Sequence, residues 1–99
     1  MGMLKAKVVK GPATYPAGGF PVTFGEFEKV AAAVVKELGG GEYLPQVAAI
    51  SGNTVTVKVR NNIEQAVNEG GTATYTIGGE VAANTDLSGV TFYVIADGY

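Results

Sequence analysis

The clearest pattern along the chain is strict alternation over residues 54–60, where Val55, Val57 and Val59 take every second position and Thr54, Thr56, Lys58 and Arg60 take the others. A period of two sends successive side chains to opposite faces, so this segment predicts a half-buried antiparallel strand. Gly52 and Asn53 supply a turn into it, and residues 47–50 complete a hairpin. Residues 72–77 repeat the logic, with Ala73, Tyr75 and Ile77 alternating with three threonines. Residues 90–96 are apolar on both faces, Val90, Phe92 and Val94 opposite Thr91, Tyr93 and Ile95. Such a strand is either central or turns its outer face to a partner. Residues 4–9 predict a first strand with Leu4, Ala6 and Val8 inward.

Two stretches carry a competing helical period. Thr23 and Glu26 have capping-box spacing, Phe27, Ala31, Val34 and Leu38 share a helical face, and three glycines follow as a stop. Local rules therefore favour a helix over residues 24–38, while the valines of 30–38 equally suit a buried strand after one helical turn. The mixed form, a turn and then a strand, is the expectation taken here. Ile63, Ala66 and Val67 place a second short helical excursion over residues 63–68, ended by Gly70. The expected fold is mainly β, a small antiparallel β-sandwich with one or two short helices, spanning residues 1–99 as a single domain.

Composition narrows the chemistry more than the fold. With 46% apolar and 16% charged residues the chain is too hydrophobic for the disordered class. A net charge of −2 leaves no basic field for nucleic acid, and the cluster of Lys5, Lys7 and Lys10 suits edge-strand protection better than phosphate binding. No apolar run reaches the ~20 residues that cross a bilayer, and no signal-peptide core opens the chain, so neither membrane nor export is expected. Histidine and cysteine are both absent, which removes the usual zinc ligands, thiol nucleophiles, disulfides and histidine acid/base catalysis.

The remaining candidate chemistry is thin. Gly39, Gly40 and Gly41 are followed by Glu42 and Tyr43 rather than by the Lys-Ser/Thr pair of a phosphate loop, so they read as a turn. Glu26 with Glu28, or Glu64 with Glu69, are the carboxylate pairs available for acid/base work, at spacings common on solvated faces. Asn84 and Asp86 offer oxygen ligands for Ca²⁺, but the run Asn-Thr-Asp-Leu-Ser also satisfies its own backbone through Asx turns. No catalytic residue, cofactor or metal is therefore expected, and the chain is not expected to be an enzyme.

Aromatic residues give a better lead. Tyr15 and Phe20 lie beside Pro16 and Pro21, and Tyr93 and Tyr99 accompany Phe92 near the C-terminus. Rigid proline-braced aromatics suit a protein interface, and Tyr15, Pro16, Phe20, Pro21, Tyr93 and Tyr99 are its candidate residues. The competing expectation is that the rings close the ends of the core.

Two stretches, residues 14–22 (Thr-Tyr-Pro-Ala-Gly-Gly-Phe-Pro-Val) and residues 79–92 (Gly-Glu-Val-Ala-Ala-Asn-Thr-Asp-Leu-Ser-Gly-Val-Thr-Phe), resemble segments of small bacteriophage virion structural proteins of the head decoration or head-fibre type. Together they cover about a quarter of the chain, and the helix-prone run 31–35 and the long stretch 61–71 depart from the pattern. The resemblance implies a non-catalytic β-sandwich made in the host cytoplasm and carried on the virion's capsid surface. Its implied partner is the major capsid protein, and homo-oligomer formation with its own copies is the second expected contact. A tail- or fibre-associated virion domain and a small carbohydrate-binding β-sandwich are the alternatives.

Overall fold

The computed structural model describes residues 3–39, 43–61, 63–67 and 73–99. Eight strands follow one another: β1 (Met3–Lys10), β2 (Phe20–Thr23), β3 (Val30–Leu38), β4 (Tyr43–Ser51), β5 (Thr54–Asn61), β6 (Ile63–Val67), β7 (Ala73–Ile77) and β8 (Thr91–Gly98). They form two three-stranded antiparallel sheets, ordered β1-β8-β3 and β2-β5-β4, and a separate β6-β7 ladder.

Each three-stranded sheet is centred on the strand whose alternation is cleanest. In β5, Val55, Val57 and Val59 are fully buried; in β8, Phe92, Val94 and Ala96 are. These six join Phe20, Val22, Phe24, Phe27 and Val30 in one cluster, and the Phe20 and Phe92 rings meet across the two sheets at 5.5 Å. Burying a side chain of this size stabilises by about 1.5–3 kcal/mol, which is why the two central strands dominate the core.

No helix is present among the described residues, so the one or two short helices expected are corrected, while residues 24–38 take the form of a turn and then a strand. Residues 24–27 close a single turn, Phe27 N–H to the Phe24 carbonyl at 3.0 Å, and the chain then runs directly into β3. Residues 63–67 are strand β6, and Asn68 lies outside the described residues. The strand expected over 72–77 is β7, with Thr72 outside the described residues. A bulge between Val30 and Ala32 displaces Ala31 from the β3 ladder, and a second lies between Val47 and Ala49 in β4. Bulges and prolines interrupt three edge strands here: β3 by its bulge, β4 by its bulge and Pro45, and β2 by Pro21.

β1 is also corrected. Its register opposite β8 pairs Leu4 with Asp97, Ala6 with Ile95 and Val8 with Tyr93, and paired residues in an antiparallel ladder share a face. Leu4, Ala6 and Val8 therefore point outward. The inward parity belongs to Lys5, Lys7 and Val9, of which Val9 packs on the core. Lys7 lays its ammonium 5.2 Å from the centre of the Phe24 ring and donates to the Thr23 carbonyl. A long cationic side chain thus closes the open side between β1 and β2, its stem on apolar surface and its head in solvent.

Candidate functional site

The outer face of the β1-β8-β3 sheet is a grid of four register rows. They are Leu4–Asp97–Ala32, Ala6–Ile95–Val34, Val8–Tyr93–Lys36 and Lys10–Thr91–Leu38, in each case β1, β8 and β3 in turn. Eight of the twelve positions are apolar. Leu4 is 70% exposed, Val8 64% and Val34 62%, so nothing among the described residues covers them. A shallow apolar depression lies between Leu4, Ala32, Val34 and Ile95, with Asp97 on its rim.

The opposite sheet does not share this character. On its outer face β5 presents Thr54, Thr56, Lys58 and Arg60, flanked by Thr23 and Pro21 of β2 and by Ser51, Ala49, Gln46 and Leu44 of β4. One layer therefore ends in a solvated surface and the other in an apolar one. Contiguous exposed apolar patches of a few hundred Å² on a small domain mark interaction sites more often than they mark plain surface.

A second feature lies at one end of the core, where residues 12–19 and 79–90 are knitted together. Tyr15 N–H donates to the Thr85 carbonyl at 2.9 Å, Asn84 N–H to the Tyr15 carbonyl at 2.8 Å, and Leu87 N–H to the Pro12 carbonyl at 2.9 Å. The Tyr15 hydroxyl, buried in the core, donates to Glu80 Oε2 at 2.8 Å and accepts from the Val59 N–H at 3.0 Å, while Gly18 N–H reaches the same Glu80 oxygen at 2.7 Å. No family model, curated protein or solved structure matches this chain. The two stretches that carry the resemblance nevertheless form one structural unit. Their contacts are internal, so the unit holds the fold together rather than offering a pocket.

The expected interface residues divide between core and surface. Tyr15 is 0% exposed and Phe20 is buried, which corrects their assignment to an interface: both rings are already consumed by packing. Pro16 and Pro21 are exposed, and Tyr93 sits half-buried in the centre of the apolar grid. Tyr99 is exposed, with its main chain tied to Lys29 and Glu28 by three hydrogen bonds. Leu4, Val8 and Val34, the most exposed large apolar residues of the grid, were not singled out by the sequence as interface residues. Their signal was the two-sided apolar character of residues 90–96, which implied that flanking strands would also carry apolar outer residues.

Little in the described residues gathers for chemistry. No group of three or more His, Cys, Asp or Glu side chains converges to hold a metal there. Asp86 Oδ1 accepts from the Ser88 N–H at 2.9 Å and from its hydroxyl at 2.6 Å, an Asx turn that holds the carboxyl below its usual range. Asn84 takes a left-handed φ of 71° in the same loop. Glu26 and Glu28 are solvated. Glu69, Gly40 and Gly41 lie outside the described residues.

Glu80 gives the site its pH dependence. The Tyr15 hydroxyl and then the Gly18 N–H favour its charged form and hold its pKa below the usual carboxylate range, with Lys58 and Arg60 adding attraction. The linked stability is present above the ordinary carboxylate range and is lost as pH falls through the lowered value. Thermal melts from neutral to acid pH are expected to fall less steeply in Glu80→Gln than in the parent, because the amide still accepts both hydrogen bonds but no longer titrates. An identical acid slope in the two proteins would remove Glu80 from the account. Tyr15 is shifted upward by desolvation, opposed by the Val59 N–H and reinforced by Glu80. Its contribution is full at neutral pH and lost only in alkali.

Proposed function

We propose that the chain is a bacteriophage virion structural protein, a small β-sandwich that attaches to the capsid surface as a decoration protein and performs no reaction. The observation that carries this reading is the sidedness of the two sheets: one outer face is polar and soluble, the other is an uncovered apolar grid. A domain built this way is a component of a larger assembly. The resemblance of residues 14–22 and 79–92 supplies the kind of assembly, and those two stretches are hydrogen-bonded to each other as one unit of the fold. The partner is the major capsid protein, and binding stabilises the shell by mass action because the bound state is favoured over free subunits.

The test is co-sedimentation with capsids of the parent phage from which small surface proteins have been stripped. The chain is expected to pellet with the shells in saturable, stoichiometric amount and to raise the temperature at which they disrupt. If it stays in the supernatant at every concentration, the capsid reading fails.

A further inference from the structure

We propose that the uncovered face of the β1-β8-β3 sheet is a self-association surface, taken by a second copy of this chain related by a two-fold axis lying in the interface and perpendicular to the strands. The occupant follows from where the charges sit on the grid. Lys10 and Lys36 occupy the two rows at one end, and Asp97 occupies the row at the other. The rows between are apolar apart from Lys36.

A two-fold operation of this kind lays β8 over β8 with reversed direction, as a self-complementary interface requires. Asp97 of the second copy then comes over Thr91, one strand from Lys10 and one register step from Lys36, and the same junction repeats at the far end. Ala6, Ile95 and Val34 then meet the partner's Val8, Tyr93 and Lys36, so the middle of the interface is apolar apart from the Lys36 side chains, whose stems lie along Val34. The alternative in which strands run in the same direction sets Asp97 over Asp97 and brings Lys10 within one register row of the partner's Lys36. Charge therefore selects the antiparallel arrangement, in the way that complementary rims fix register in other interfaces.

Area sets the strength. Eight residues at about 3.3 Å each and three strands about 4.8 Å apart give a footprint of roughly 26 by 14 Å, near ~360 Å² per copy. A standard stable interface takes ~800 Å² per partner, so the dimer is reversible and concentration-dependent. The dimer covers the face proposed to meet the capsid, so self-association and capsid attachment exclude each other, and a weak dimer is one that a lattice displaces by mass action.

The inference concerns the same face as the proposed function but is tested without capsids, so each can fail alone. Sedimentation velocity of the purified chain from micromolar to millimolar concentration is expected to show a monomer–dimer equilibrium. Asp97→Lys, and separately the double variant Lys10→Asp/Lys36→Asp, are expected to weaken it roughly tenfold by placing like charges at both junctions. An equimolar mixture of the two is expected to regain a heterodimer, because both junctions are then of opposite sign. Asp97→Asn, which keeps the side chain's size, should weaken association less than Asp97→Lys. A monomer at every concentration, a trimer, or a mixture that associates no better than its parts would overturn the proposal.

Discussion

Tyr15→Ala is expected to unfold much of the protein rather than detach it from a partner. The ring is fully buried among core residues, and truncating a large aromatic at such a site costs about 3–5 kcal/mol through lost burial and the cavity left behind. The hydroxyl adds to this, because the Val59 N–H loses its acceptor and the loop of residues 12–19 loses its link to Glu80. A buried amide left unpaired costs about 1–3 kcal/mol more. Against a total of roughly 5–15 kcal/mol for a domain, that is enough to bring the transition close to ambient temperature. The midpoint of a thermal melt is expected to drop by more than about 12 °C. Tyr15→Phe keeps the ring and should lose only the hydroxyl's share. A melt of Tyr15→Ala within a few degrees of the parent would mean that the ring is a surface group after all.

That result separates what the sequence showed from what it hid. The central strands were legible because Val55, Val57 and Val59 alternate without interruption and because residues 90–96 are apolar on both sides. The helical face read over 24–38, Phe27, Ala31, Val34 and Leu38, does not survive the irregular backbone, since only Phe27 of the four is buried. Phe24, Phe27, Val30 and Ala33 all lie on the inner side, and their spacing of three comes from a single turn followed by the bulge at Ala31. One displaced residue in a strand converts a period of two into one that mimics a helix.

The reversed faces of β1 have a similar cause. Alternation fixes which residues share a face but not which face meets the core, and the rule that apolar residues point inward chose wrongly for Leu4, Ala6 and Val8. Their outward placement was set by register against β8, a long-range pairing that no local pattern reports. The same error concealed the candidate site, since an apolar outer face is invisible while its members are assigned to the core. For Tyr15 and Phe20 the ambiguity was chemical: aromatics beside prolines suit an interface and a core end equally, and only packing decides.

Two matched surface variants test the central claim, that this protein works through the outer face of the β1-β8-β3 sheet. Val34→Lys puts a charge in the middle of that face, and Gln46→Lys puts the same charge on the outer face of the other sheet. Both positions are exposed, so both variants should melt within a few degrees of the parent. Loss of a buried valine contact is worth about 1.5–3 kcal/mol, and an ammonium buried in its place costs more. Binding to stripped capsids, measured by co-sedimentation, is expected to weaken by at least ~10-fold for Val34→Lys and to be unchanged for Gln46→Lys. Equal binding by the two variants, or loss confined to Gln46→Lys, would contradict the account.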